Sequence, residues 1–200
     1  AVSLNMSNTP ELENLPIADL TRRAGGGFMS KPDADAQYQM GMRYAQGIDV
    51  KQDLKEAASW FRRAADEGHI EAQRRLAFAY FNGQGVAPNP AEGIRRFRIA
   101  AENGDPVSLR ELGYHYATGN GVARDEAEAV RWFTQAAAKG DVFAQHNLGF
   151  AYTNGRGVGS DPLEGFYWYR MAAEKGAAIS QCELGLIYEH GRGVAADYPK

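Results

Sequence analysis

Tyr80-Phe-Asn-Gly-Gln-Gly-Val86, Tyr116-Ala-Thr-Gly-Asn-Gly-Val122 and Tyr152-Thr-Asn-Gly-Arg-Gly-Val158 are copies of one phrase, 36 residues apart. Tyr188-Glu-His-Gly-Arg-Gly-Val194 repeats it at the same interval, and Tyr44-Ala-Gln-Gly-Ile-Asp-Val50 is a looser first copy. A fixed period of about 20–50 residues marks a stacked array of small units rather than one globular core. Such an array buries its core between neighbouring units and lengthens without needing a large interior.

Residues 105–140 show what one unit contains. Ser108, Leu112, Gly113 and Tyr116 recur at helical spacing and define a first helix, helix A. Gly119 ends it, because glycine adopts the left-handed conformation of a helix C-terminus without strain. After the Gly119-Asn-Gly121 turn, Val122 plugs the loop into the core. Asp125 then starts helix B, with Glu128 three residues on. That spacing reads as a capping box, in which each side chain satisfies an orphan backbone donor. Ala129, Trp132, Phe133, Ala136 and Ala137 share one face of helix B, and Gly140 closes it.

The other units carry the same signals. The cap position reads Asp53, Asn89, Asp125, Asp161 and Asp197, and the box glutamate reads Glu56, Glu92, Glu128 and Glu164. Pro90 and Pro162 occupy the first helical position, where no N–H is needed. Helix A repeats Leu76, Leu112, Leu148 and Leu184, with Met40 first, each followed by Gly or Ala. Small residues at a fixed site let two helices approach closely, and Trp60, Trp132 and Trp168 fill wider gaps. Arg96 interrupts the tryptophan series, so unit two is expected to pack differently there. Cap, turn and core signals agree in every unit. The predicted fold is all-α: an α/α superhelical solenoid of helix-turn-helix repeats with concave and convex faces. Its units are 33–68, 69–104, 105–140, 141–176 and an incomplete 177–200, and Asp197-Tyr-Pro-Lys200 points to a longer array.

The chain has 200 residues, of which 44% are hydrophobic and 24% charged, as in a soluble folded protein. No apolar run approaches the roughly 20 residues that span a bilayer. A net charge of -3 gives no reason to expect nucleic acid as a partner. Cys182 is the single cysteine, so no intramolecular disulfide forms.

The run from Ala144 to Gly176 resembles the Sel1-like repeat, a relative of the tetratricopeptide repeat, almost residue for residue. Gly165 replaces the helix B alanine, and unit one departs at Ile48-Asp49, which leaves its loop geometry open. The resemblance covers roughly residues 33–200. It implies a scaffold that binds proteins or peptides, in bacterial members often exported to the envelope or beyond. A periplasmic or secreted location is therefore favoured over a cytoplasmic one. Residues 1–32 lie outside the pattern and are either a short capping segment or a linker. Thr9-Pro10 reads as a helix start limited by Pro16, with Leu15, Ile17 and Leu20 available to pack on the first unit. Gly25-Gly26-Gly27 reads as a joint, and Asn5-Met6-Ser7 matches a glycosylation sequon.

In tetratricopeptide-like arrays helix A lines the concave groove. The candidates for it are Tyr38, Met42, Arg74, Phe78, Phe81, Arg110, Tyr114, His146, Phe150 and Leu186. The aromatic rings offer contact area and the arginines hold carboxylates or carbonyls. The alternative is that Phe78, Tyr114 and Phe150 are interhelical core. None of His69, His115, His146 and His190 has a metal-pair spacing, and no nucleophile elbow is present. The Gly-x-Gly turns follow helices rather than strands, so they read as loop geometry. No catalytic residue, cofactor or metal is expected. Two function classes remain: a scaffold for a protein or peptide ligand, and a module for peptidoglycan or another glycan.

Overall fold

A computed structural model describes residues 12–26 and 31–190, the latter without the His190 side chain. Thr9-Pro10, the Asn5 sequon, Gly27, Asp197 and the end of the last phrase lie outside the described residues. The chain is an all-helical solenoid of 36-residue helical hairpins, in two compact units, residues 1–103 and 104–200. The first holds α1 (Ile17–Gly25), α2 (Ala34–Gln46), α3 (Leu54–Asp66), α4 (Ile70–Asn82) and α5 (Pro90–Glu102). The second holds α6 (Pro106–Thr118), α7 (Glu126–Ala138), α8 (Val142–Asn154), α9 (Pro162–Glu174) and α10 (Ala178–His190). Within each unit every helix packs on the next, most extensively on the partner of its own hairpin.

The repeated phrase is the hinge of each hairpin. Gly47, Gly83, Gly119 and Gly155 take the left-handed conformation and end the A helices. The cap side chains of Asp53, Asn89, Asp125 and Asp161 accept from the backbone N–H of the box glutamates. The glutamate half of the capping box is replaced. The backbone N–H it would satisfy donates instead to the phrase tyrosine: Asp53 to the Tyr44 carbonyl, Asn89 to Tyr80, Asp125 to Tyr116 and Asp161 to Tyr152, at 2.8–2.9 Å. One bond thus satisfies an orphan carbonyl of helix A and an orphan donor of helix B. Glu92 is freed to hold Arg95 and Arg96, and Glu128 to hold Arg131.

The small residue after the helix A leucine is a socket for the helix B ring. A Cβ on Gly41 would meet Phe61 at 2.5 Å, and one on Gly113 or Gly149 would meet Phe133 or Tyr169 at 2.6 Å. Leu76, Leu112 and Leu148 beside these sockets are fully buried. Repeat two differs, as Arg96 foretold. Its socket holds Ala77, and Phe97 stands edge-on to Phe78 and nearly parallel to Phe81. Phe81 lies where a Cβ on Gly93 would be, at 2.5 Å. Arg96 is buried in place of tryptophan, its guanidinium shared by Glu92, Gln73 and Asp66. Arg95 first and Arg96 next push the Glu92 carboxyl down to about 2.

Residues 12–25 pack on the first repeat. Leu12, Leu20 and Ala24 form one apolar cluster with Ala36, Met40 and Trp60. The Gln37 amide donates to the Ala24 carbonyl at 3.0 Å. Gln73, Gln145 and Gln181 do the same to Ala65, Ala137 and Ala173. Thus α1 occupies the place that a preceding B helix holds in later repeats. Buried Arg43 fastens the segment leading into α1, donating to the carbonyls of Glu13 and Leu15 at 2.9 and 2.6 Å. Its other terminal nitrogen holds Asp49 at 2.9 Å. Asp49, at φ 57°, takes the left-handed conformation of Gly85, Gly121 and Gly157, so the first loop keeps the shape of the others.

Candidate ligand grooves

Each compact unit carries a groove where a helix A face meets its neighbours. In the first unit a hollow of about 480 Å³ lies between α2, α3 and α4. Met42, Phe61 and Phe78 give it an apolar floor, extended by Ala57, Ala58 and Ala79. Gln46, Gln52, Asn82 and Gln84 line it as amides, and Arg75 is its charged group.

In the second unit two hollows, of about 370 and 230 Å³, share Phe133 and Asn147 and so form one strip. Arg110, Tyr114 and Phe143 lie at one end, and Phe150, Val130, Arg124 and Arg156 at the other. Three rings here face solvent: Tyr114 is 54% exposed, Phe143 68% and Phe150 48%. Arg110 lies over the Phe143 ring at 5.4 Å and pairs with Glu111 and Asp141. Arg124 and Arg156 share the Glu126 carboxylate, which they hold below its usual range, Arg124 contributing first. Large solvent-facing aromatic groups in contiguous array are a feature of interaction surfaces.

The candidates named from sequence are placed differently from one another. Met42 and Phe78 line the first groove; Arg110, Tyr114 and Phe150 line the second. Arg74 is half-buried on α4 beside Arg75, which lines the groove in its stead. Phe81 packs on Phe97 and over Gly93. The His146 ring bonds to the buried Ser180 hydroxyl at 2.9 Å and leans on Tyr169. Leu186 is exposed on α10. Tyr38 lies in another hollow of about 550 Å³, with Asp35, Glu67 and Glu71, its ring stacked on His69 at 4.4 Å. Arg75, Phe143, Asn147, Arg124 and Arg156 were missed. Arg75, Phe78, Ala79 and Asn82 follow i, i+3, i+4, i+7 spacing, a face that periodicity could have shown.

Among the described residues no group of three or more His, Cys, Asp or Glu is placed to hold a metal. His69, His115 and His146 are each held below the ordinary histidine range, burial being the main cause. His69 caps α4: its Nδ1 accepts from the Ala72 N–H at 3.2 Å, which requires that nitrogen unprotonated. Asp35 and Glu71, each 3.5 Å away, oppose this shift. A lowered folded value means that the unfolded chain binds more protons near and below pH 6.5. Stability is therefore full above about pH 7 and falls as pH drops below about 6.5. Thermal melts across pH 8 to 5 should show this. In a His69→Asp variant, which supplies the cap used at Asp33, Asp105 and Asp141, the fall should be shallower.

Stacked helical hairpins with ligand-sized grooves on their A helices define a repeat scaffold. This chain belongs to the Sel1 repeat family: the Sel1 repeat matches residues 34–69, 70–105, 106–141, 142–176 and 178–200. Sel1 repeat proteins are generally protein-interaction scaffolds, and their fold is typically non-catalytic. Among solved structures, the chain resembles a protective antigen of uropathogenic Escherichia coli strains displaying an SLR fold. The two share 39% identity at a TM-score of 0.86, over 92% of this chain and 38% of that one. The chain thus spans well under half the length of that relative. A Sel1 repeat protein from Oxalobacter formigenes shares 40% identity at a TM-score of 0.76, over 82% of this chain and 67% of that one. Cysteine rich protein B of Helicobacter pylori has the same fold, at 21% identity and a TM-score of 0.53, over 69% of this chain and 99% of that one. No curated protein matches the chain. No helix among the described residues is long and apolar enough to cross a membrane.

Proposed function

We propose that this chain binds a peptide or protein partner through its helix A grooves, as a scaffold in bacterial cell-envelope assembly, localisation or secretion. The observation that carries the reading is the run of exposed Tyr114, Phe143 and Phe150 around Asn147 and Phe133. Aromatic anchors beside arginine are typical of binding hot spots. Half-exposed rings contribute little to folding, so their exposure is better explained by a partner. The setting follows the exported relatives that the family resemblance implies, and the similar chain described as a protective antigen supports it.

Tyr114→Ala and Phe150→Ala should each weaken partner capture by about 1–3 kcal/mol while leaving helicity intact. Partner affinity and melting temperature, measured together, check this. A large fall in melting temperature with unchanged affinity would make the rings core residues. The second reading is a peptidoglycan or glycan module, since exposed rings also stack on sugars. Co-sedimentation with insoluble cell wall, competed by soluble glycan and lost in both variants, would favour it over a protein ligand.

A further inference from the structure

The first unit's groove differs from its surroundings in charge. Its lining is an apolar floor, four amide side chains and Arg75, and no lining residue is a carboxylate. Most other arginines near a cavity are neutralised: Arg110 by Glu111 and Asp141, Arg124 and Arg156 by Glu126. Arg75 is exposed and makes no ion pair among the described residues. An uncompensated guanidinium at the edge of an apolar hollow favours an anionic group on whatever fills it, through a charge-assisted hydrogen bond.

The amides indicate what carries that anion. Gln46 and Gln52 come from α2 and the loop before α3, and Asn82 and Gln84 from the end of α4 and the loop after it. A primary amide both donates and accepts, so such walls match a polypeptide backbone, which presents N–H and C=O in alternation. Gln52 already donates to the Ala45 carbonyl at 2.9 Å, which steadies its side chain beside the hollow. Met42, Phe61 and Phe78 suit apolar side chains on either side of the anion, with methionine adapting to their shape.

Building on the scaffold reading above, we propose that the groove lined by Met42, Phe61, Arg75 and Phe78 binds an apolar polypeptide segment through an aspartate or glutamate side chain paired with Arg75. The segment runs through the hollow, its carboxylate meeting the guanidinium and its flanking apolar residues covering the floor. An internal acidic residue fits better than a chain terminus, because the amides serve a backbone that continues past the arginine.

Three fluorescein-labelled peptides test this on the full chain. The first is Ser-Phe-Leu-Glu-Leu-Phe-Ser with blocked ends, the second has glutamine for glutamate, and the third is the glutamine peptide with a free C-terminal carboxylate. The glutamate peptide should bind about three- to tenfold more tightly than its blocked glutamine twin, the range expected of an exposed charge-assisted pair. That preference should shrink in high salt. It should vanish in Arg75→Gln, with the glutamine peptide's affinity unchanged. Phe78→Ala should weaken both blocked peptides. Equal binding of the two blocked peptides, still sensitive to Phe78→Ala, overturns the acidic preference and leaves the groove reading intact. A gain by the free-acid peptide matching that of glutamate assigns Arg75 to a chain terminus instead. No binding by any of them, or binding indifferent to Phe78→Ala, overturns the inference and the first unit's groove together.

Discussion

Gly85→Ala should destabilise this protein by roughly 3–5 kcal/mol, while Gly83→Ala, two residues earlier, should cost only about 1–2 kcal/mol. Both glycines have positive φ, 75° and 67°, so both variants incur the left-handed penalty. Their surroundings separate them. A Cβ on Gly85 would overlap the backbone carbonyl of Leu54 at the start of α3, which cannot move without unwinding that helix. A Cβ on Gly83 would meet the Pro88 ring at 3.1 Å and the Val86 carbonyl at an ordinary 3.9 Å. At about 2–4 °C per kcal/mol for a chain of this size, the two melting curves should be well separated. The second unit repeats the comparison, since Gly157 abuts the Glu126 carbonyl whereas Gly155 meets the Ser160 side chain at 3.3 Å. Equal losses within each pair would show that the second glycine is kept for its conformation alone. The larger loss would show that it lets one hairpin's loop rest on the helix start of the hairpin before it.

The pair Phe81 and Gly93 should behave as a single unit in a double-mutant cycle. Gly93→Ala places a methyl group 2.5 Å from the Phe81 ring and 3.2 Å from the Ala77 carbonyl, so overpacking outweighs the gain in helix propensity. A loss of about 1–3 kcal/mol is expected. Phe81→Ala alone should lose about 2–3 kcal/mol, less than a fully buried ring, through lost packing on Phe97. Together the two changes should cost less than their sum by about 1–2 kcal/mol, because the alanine then fills the space the ring vacates. The protein already contains this solution: the equivalent positions are Ala45 with Ala57 in the first repeat and Ala117 with Ala129 in the third. The fourth repeat uses Thr153 with Gly165, whose Cβ would overlap the threonine hydroxyl. Simple additivity would mean that bulk at these two sites is not exchanged between the helices.

That exchange shows where reading the chain reached its limit. Gly165 could be noted as a departure from alanine, but its reason is Thr153, twelve residues earlier and across the hairpin. Asp49 left the first loop's geometry open because it occupies a glycine position. Arg43, six residues earlier, holds it in the same left-handed shape. The capping box was half right for a similar reason. Asp53 and its equivalents cap as their type and position require, but the donor meant for the glutamate is taken by the tyrosine carbonyl of the previous helix. Arg74 was named for the concave groove, whereas Arg75 lines the first unit's hollow, a difference of one residue and about 100° around the helix.

The sequence by itself determined the hairpins, their period, the caps, the left-handed glycines and the small residues at which two helices approach closely. These are local or recur at fixed spacing, so each copy corroborates the others. Only the tertiary structure decided which faces of the A helices are open, that α1 takes the place a preceding B helix holds in later repeats, and which arginines are neutralised. Those properties depend on which side chains from different helices converge. A spacing of 36 residues makes neighbouring repeats alike without stating which of their differing residues meet.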